Sequence, residues 1–377
     1  MNILFLTYHG FDPSSGITKK MLAQVKGLRQ NGHTVHLCSY AIDARGHRCR
    51  YVDDEVICDY GHGGLAALRQ RMSLGCIYRY CTDHGIEAVY VRHFMNSSPA
   101  LVRLFRRLKK AGVKCVLEIP TYPYDQEFRG FSLSQRLNLR MDQLFRRRLA
   151  RQMFAIVTFT NEPRIFGQRT FCISNGVDLD TIPLHEATSA TDELHLIGVA
   201  EVHTWHGYDR LLRGLGEYYR SGKADRKVVF HIVGGVAQGD MEGASHKPGF
   251  RSIIDEYQLQ DKVFFHGQLF GEELDKVFAQ SQFAIGSLAR HRSGITTIKT
   301  LKNREYASRG IPFIYSEQDS DFDQQPYIVK APADETPIDI TTITNFLDHF
   351  TMPPAEIRRT VEHLSWKRQM EEVIKRL

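Results

Sequence analysis

A strand–helix pattern runs through the first half of this chain and then starts again, and that restart constrains the fold more than any single motif. Residues 2–7 are an apolar run suited to a buried strand, followed by the Gly/Ser loop GFDPSSGITKK. MLAQVKGLRQNGH has the apolar spacing of an amphipathic helix, closes at Gly32 and leads into the strand TVHLCSY. EAVYVRH and VKCVLEIP are further buried strands, separated by the basic helix PALVRLFRRLKKAG; AIVTFT and RTFCISNGV close the half. The series restarts with strand LHLIGVA, helix GYDRLLRGLGEYYRSG and strand KVVFHIVGG. Helix FRSIIDEYQLQ, strand KVFFHG, helix GEELDKVFAQS and strand FAIGSL follow, and a last helix leads to strand PFIYS. Such alternation predicts parallel sheets covered on both faces. Two series predict an α/β chain of two doubly wound, Rossmann-like domains facing across a cleft, with ligands beyond the carboxyl ends of the strands.

The expected boundaries are an N-terminal domain over 1–173 and a second domain over 174–352, entered through the linker SNGVDLDTIPL. PAEIRRTVEHLSWKRQMEEVIKRL reads as one long C-terminal helix within 353–377, free to pack back on the first domain. A length of 377 residues exceeds what one core ordinarily supports. No stretch approaches the ~18 apolar residues of a membrane span. The opening MNILFLTYHG lacks a basic segment and is too short for a signal peptide. The seven cysteines form no CxxC pair, which suits reduced thiols in a cytoplasmic protein. Charge divides unevenly: residues 1–170 hold 26 Lys/Arg against 13 Asp/Glu, and the remainder hold 23 against 30. The basic half suits an anionic membrane surface or an acidic substrate. Nucleic acid is not expected, because no aromatic platform motif accompanies the charge.

Several motifs fall at strand ends. Gly16 lies in the loop after the first strand, where backbone N–H groups and a helix dipole receive an anion. Gly234 ends a strand of the second series, where a ligand can approach closely. WHGYDRL sets His206 and Gly207 on a loop at another strand end, and a protonated His206 would donate strongly to phosphate. GITTIKTLKNREYASRGIPFIY, residues 294–315, is the densest motif. Gly294 opens it, Lys299, Lys302 and Arg304 crowd a helix start, and Glu305 follows Lys302 by three positions. Cations at a helix N-terminus oppose its dipole, so a polyanion such as a diphosphate between them would explain them. A carboxylate on the same face as Lys302 is placed to accept hydrogen bonds from ribose hydroxyls. In the first half, Glu118 and Tyr122 lie in VLEIPTYPYD and His93 ends VRH; Glu118 is a candidate to orient or deprotonate an acceptor hydroxyl.

The element order together with NREYASRGIPFI, SNGVD, MNILFLTY, PSSGITKK and RQNGHTV resembles the family-4 retaining glycosyltransferases of the two-domain GT-B fold. The resemblance covers nearly the whole chain. It implies a nucleotide-sugar donor on the second domain, an acceptor on the first, and no metal or other cofactor, since protein cations neutralise the leaving diphosphate. Glu305 matches the family's ribose-holding Glu, and Gly16 its glycine loop. Three positions depart: Thr297 stands where the first Glu of the family's pair falls, and Glu201 and His206 where two phosphate cations fall. Thr297 retains a hydroxyl for the sugar. The implied donor set is therefore Gly16, His206, Gly207, Gly234, Gly294, Thr297, Lys302, Arg304 and Glu305, with His93, Glu118 and Tyr122 on the acceptor side. Glu305, Lys302 and Glu118 are the residues expected to carry catalysis. The expected activity is hexosyl transfer to a glycan or lipid-linked acceptor in polysaccharide biosynthesis. A non-catalytic glycan- or membrane-binding relative and a nucleotide-sugar epimerase are the alternatives. Basic helices at 103–112 and 136–154 mix Leu, Phe and Met with Arg and Lys, which suits a peripheral position on an anionic membrane surface.

Overall fold

A computed structural model describes residues 1–8, 10–11, 15–93, 96–125, 133–186, 193–222, 224–244 and 247–377. Residues 12–14 of the first glycine loop lie outside the described residues. The chain forms two compact units, residues 1–176 with 364–377, and residues 177–363.

In unit 1 the strands are β1 (Asn2–Leu6), β2 (Thr34–Ile42), β3 (Arg48–Val52), β4 (Glu55–Asp59), β5 (Ala88–Arg92), β6 (Lys114–Ile119), β7 (Ala155–Thr158), β8 (Arg164–Ile165) and β9 (Gln168–Cys172). They pair in the order β4-β3-β2-β1-β5-β6-β7-β9-β8. The stretch β2-β1-β5-β6-β7-β9 is parallel, with Phe5 opposite both Leu37 and Tyr90. Helices α1 (Gly16–Gln30), α2 (Gly63–Met72), α3 (Gly75–Asp83), α4 (Pro99–Lys110) and α5 (Leu133–Ala150) connect them. The antiparallel pair β3–β4 breaks the expected alternation. Its two-residue turn, Asp53–Asp54, has φ of 47° and 71°, the left-handed pair that two-residue hairpins require. Leu4, Leu6, Val89, Val91, Leu117 and Ile156 alternate onto one face and pack against Leu101, Phe105 and Leu108 of α4.

In unit 2 the strands are β10 (Glu193–Val199), β11 (Lys227–Val233), a two-residue hairpin β12 (Gly243–Ala244) and β13 (Lys247–Pro248), then β14 (Val263–Gly267), β15 (Phe283–Ile285), β16 (Phe313–Tyr315) and β17 (Ile328–Lys330). The main sheet is entirely parallel, in the order β14-β11-β10-β15-β16-β17. Its strand order runs outward in both directions from β10 and β15, so the topological switch point, where loops diverge and a ligand crevice opens, lies between those two strands. The helices are α6 (Tyr208–Arg220), α7 (Gln238–Glu242), α8 (Phe250–Tyr257), α9 (Gly271–Ala279), α10 (Leu301–Arg309) and α11 (Ile340–His349).

The C-terminal segment is not one helix. It divides into α12 (Pro354–Arg359) in unit 2, a 3-10 turn at Glu362–Leu364, and α13 (Trp366–Ile374) in unit 1. Ser365 stops propagation by capping α13, its side chain accepting from the Arg368 N–H. Helix α13 packs on α1, where a Cβ on Gly27 would come within 2.8 Å of the Trp366 backbone. No helix among the described residues is long and apolar enough to cross a membrane.

Candidate functional site

The switch point of unit 2 is closed by the loop that the sequence marks as WHGYDRL. Thr204–His206 form a 3-10 turn, and Gly207 ends it at φ 65°. A Cβ on Gly207 would lie 2.8 Å from that of Ala289, so glycine is required both for the turn and for the approach of the β15 loop. The two loops then bond: Leu288 N–H donates to the His206 carbonyl at 2.9 Å, and Ala289 N–H to that of Trp205 at 3.1 Å. The Tyr306 hydroxyl joins the strand ends beneath, accepting from Val199 N–H and donating to the Ile285 carbonyl, both at 3.1 Å.

Inside this frame lies a group of buried polar atoms. Lys302 Nζ is out of contact with solvent and has no hydrogen-bond partner among the described residues. Burial, reinforced by Arg290, pushes its ammonium down to about 7, with Glu317 opposing. Glu317, 2% exposed, is pushed up to about 7 by burial, and its Oε2 is unpartnered while Oε1 accepts from Asn303 Nδ2 at 3.5 Å. The Tyr208 hydroxyl, Ser287 Oγ, Thr300 Oγ1 and Asn303 Oδ1 are likewise buried without partners. His206 is buried, and its Nδ1 accepts from His203 N–H at 2.9 Å, which leaves the ring proton on Nε2. Burial and the neighbouring Lys302 and Arg290 hold its pKa well below the ordinary histidine value. His206 is therefore placed to donate as a neutral ring through Nε2–H, without the added strength that protonation would give. Unpartnered buried polar groups are rare because each costs about 1–3 kcal/mol. Six such atoms, the Lys302 ammonium and five others, at a parallel sheet's carboxyl edge describe a polar group that the chain itself does not satisfy among the described residues.

The other expected donor residues separate on inspection. Arg304 is fully buried, but it is turned away from Lys302, because positions two apart on a helix point to different faces. Its guanidinium holds Asp319 at 2.7 and 3.1 Å, bonds Asp321, and donates to the Thr300 carbonyl at 2.9 Å. Lys299 pairs with Asp321 at 3.2 Å. Two of the three cations at the start of α10 are thus neutralised internally, and Arg304 is a structural ion pair, not a phosphate ligand. Glu305 is partly exposed and pairs with Arg309, one turn on, at 3.0 Å. Thr297 is exposed, and its hydroxyl donates to Gln318 Oε1 at 3.2 Å. Gly294 closes a 3-10 turn at φ 69°. Gly234 does not make room for a ligand: a Cβ there would strike the Ala200 carbonyl oxygen at 1.8 Å, so the chain's own backbone fills the space. Glu201 lies by Gly235 and accepts from Gln268 at 3.4 Å. Glu317 was not singled out from sequence; its signal was an acid two residues past the apolar strand PFIY, at the carboxyl edge.

In unit 1, Gly16 opens α1 on the exposed surface, with Ser15 capping it by accepting from Ile17 N–H. Glu118 is fully buried under α1. Gln24 Nε2 donates to it at 2.6 Å and the Tyr90 hydroxyl at 2.5 Å, while Lys20 Nζ lies at 3.0 Å and Arg92 Nε at 3.4 Å. Lys20 and Arg92, with these donors, overcome burial and lower its pKa to about 2. A carboxylate this weakly basic does not remove a proton from a hydroxyl, so Glu118 is a structural hub and not the base anticipated. His93 points to the opposite face, 3.4 Å from Asp142 of α5. Asp142 also accepts from the Ser97 N–H at 3.1 Å and the Tyr124 hydroxyl at 2.6 Å. Tyr122 is half-buried, edge-on to Phe166 at 5.7 Å. The acceptor-side residues therefore do not converge on one point. No cluster able to hold a metal occurs among the described residues.

No protein-family model matches the sequence, and no curated protein is similar enough to count as a relative. Solved structures do resemble it. Anabaena Alr3699/HepE, in complex with UDP-glucose, aligns over 100% of both chains with a TM-score of 0.59 at 14% identity. The trehalose-6-phosphate synthase OtsA aligns over 99% of this chain and 98% of its own, with a TM-score of 0.59 at 10% identity. A putative UDP-N-acetylglucosamine 2-epimerase from Listeria monocytogenes covers 99% and 94%, with a TM-score of 0.52 at 10% identity. At such identities the likeness is one of architecture. The chain has the GT-B fold.

Proposed function

We propose that the protein is a glycosyltransferase that moves a hexosyl group from a nucleotide-sugar donor to a hydroxyl of a glycan or lipid-linked acceptor. The carrying observation is the Lys302 ammonium, buried, unpartnered and ringed by unsatisfied donors and acceptors at the switch point of unit 2. A diphosphate supplies the missing partners: anionic oxygens for Lys302, for the Nε2–H of neutral His206 and for the field of Arg290. In the reaction the bond from the anomeric carbon to the diphosphate oxygen breaks. The nucleoside diphosphate leaves with the electron pair, and the acceptor oxygen bonds the same carbon and passes its proton to an oxygen of the departing diphosphate. Charge on the departing diphosphate is what Lys302 and His206 stabilise. Glu305 holds the ribose after exchanging its Arg309 partner for ribose hydroxyls. Retention of configuration and a setting in polysaccharide assembly follow from the sequence resemblance. The UDP-glucose bound to HepE makes UDP the first nucleotide to try.

One observation favours a second reading. Thr297 places only a hydroxyl, already bonded to Gln318, where the resemblance expects an acid, which suits a donor-binding relative without transferase activity. An epimerase would convert the donor with no acceptor present. Thermal unfolding against UDP, GDP, ADP, CMP and their common sugars tests the site. One nucleotide class at ~100 times its dissociation constant is expected to add ~2.7 kcal/mol to the wild type and nothing to Lys302→Met. No response to any of them overturns the donor site. Slow donor hydrolysis in the responding protein supports a transferase, an intact donor the non-catalytic reading, and an epimerised donor the epimerase.

A further inference from the structure

We infer that helix α5 of unit 1 is a docking surface for an anionic lipid bilayer. Leu133, Leu137, Met141 and Leu144 are 81, 63, 40 and 72% exposed. Their spacing of four, four and three residues lines them along one face of the helix. Exposed Arg136, Arg140, Arg147 and Arg148 flank that stripe. The helix's one acid, Asp142, lies on the opposite face and is fully buried against the Ser97 N–H and Tyr124 hydroxyl. Beside it, Arg146 pairs with Asp125 at 2.7 Å and covers the Phe166 ring at 4.5 Å. The inner face is thus anchored by directed polar contacts, and the outer face presents leucines and arginines with no carboxylate among them.

Basic composition alone does not single out α5. Helix α4 carries Arg103, Arg106, Arg107, Lys109 and Lys110, yet its Leu101, Leu104, Phe105 and Leu108 are all buried in the core. Of the two helices that sequence offered for a membrane surface, α4 is a core helix with a solvated basic face. Of these two, it is α5 that keeps apolar side chains outside. Charge selects the occupant. A second copy docked through the same face would oppose arginine to arginine, whereas a bilayer surface offers acyl chains to the leucines and phosphate charge to the arginines. Asp142 and His93 tie α5 to the residues just past β5, at the carboxyl edge of the unit 1 sheet. A lipid-linked acceptor would reach that edge directly. This last step rests on the proposed transferase reading; the docking itself does not.

The test is co-sedimentation of the full-length protein, without nucleotide, with vesicles of phosphatidylcholine alone or mixed with phosphatidylglycerol. Binding to the mixed vesicles should be at least about tenfold tighter than to phosphatidylcholine, and should weaken with salt. The variants Leu137→Gln/Leu144→Gln and Arg140→Gln/Arg147→Gln should each lose about tenfold or more, with unchanged melting temperature because all four side chains are exposed. Equal binding to both vesicles, no binding to either, or undiminished binding by either variant overturns the inference. Light scattering that shows a dimer abolished by the leucine variant assigns the stripe to a second copy instead, which also overturns it. Nucleotide-induced stabilisation, read on the same variants, reports the donor site separately.

Discussion

The carboxyl edges of the two sheets each bury a charge, and they treat it in opposite ways. In unit 1, Glu118 is surrounded by Lys20, Arg92, Gln24 and Tyr90, and its pKa falls to about 2. In unit 2, Lys302 has no bonded partner among the described residues, and its pKa falls to about 7. Both shifts are large, but the first reflects a charge stabilised by the fold and the second a charge the fold leaves exposed to desolvation. A perturbed pKa therefore marks a site only when the environment disfavours the charged form that the chemistry needs. The same criterion separates Lys302 from Arg304, which is equally buried but fully paired.

The sharpest way to break this contrast is to neutralise each charge. Glu118→Gln removes the buried carboxylate that faces Lys20 and Arg92 and should destabilise the protein by about 3–5 kcal/mol in urea unfolding. Lys302→Met, of similar volume, removes an unpaired charge and should leave ligand-free stability unchanged or higher. Equal losses in the two variants would mean that Lys302 is bonded in solution.

Nucleotide affinity should carry the signature of Lys302 in its pH dependence. An anion binds the protonated ammonium, which in the free protein is lost as pH rises through about 7. Glu317 ionises over the same interval and repels the anion further. Affinity measured by calorimetry should therefore be constant below about pH 6.5 and fall by up to about tenfold per pH unit above 7. A flat profile to pH 9 would remove Lys302 from the site; Lys302→Arg, charged throughout, should leave only the shallower fall due to Glu317.

Acid should divide the units in the other direction. His195, His231 and His266 form a ladder across β10, β11 and β14, with ring nitrogens 2.8 and 2.9 Å apart. Burial lowers all three pKa values, that of His231 to about 4. A histidine held neutral in the fold binds its proton more readily when unfolded, so its contribution is complete above about pH 6.5 and is lost as pH falls toward 4. Glu118 and Asp142 in unit 1, both lowered to about 2, contribute above the ordinary carboxylate range and lose that only as pH falls toward 2. Glu317, raised to about 7, adds stability as pH falls through the same interval and offsets part of that loss in unit 2. Hydrogen exchange, corrected for its intrinsic pH dependence, should therefore show the histidine-bearing strands β11 and β14 opening before the unit 1 strands between pH 6.5 and 4. His231→Phe should narrow the gap.

How far sequence reaches here depends on the length scale of the cause. Strands β1, β5, β10 and β11 were legible because alternating burial is written into local apolar spacing. So was Gly207, whose position between a strand and a helix signals a turn. The β3–β4 hairpin was not anticipated, because Asp53–Asp54 lacks the glycine that usually marks such a turn. The break at Ser365 was masked by an otherwise helical pattern. Charge pairing was the least legible: Lys299, Lys302 and Arg304 look alike in sequence, and only the positions of Asp319 and Asp321 determine which cation stays open. The two-residue step from Lys302 to Arg304 did hold the clue that they face apart.

The smallest expected effect on folding comes from Glu305, and it sharpens the comparison most finely. Its pair with Arg309 is partly exposed, and Arg309 keeps a second partner in Asp275 at 2.7 Å. Glu305→Ala should therefore change unfolding free energy by no more than about 0.5 kcal/mol. If the carboxylate holds ribose hydroxyls, nucleotide affinity should nonetheless fall by about 1.5–3 kcal/mol, the worth of hydrogen bonds to a charged group. Glu305→Gln, which keeps one acceptor oxygen, should recover part of that loss. Unchanged affinity in both variants would reduce Glu305 to a surface ion pair and leave Lys302 and His206 as the whole of the donor contact from this edge.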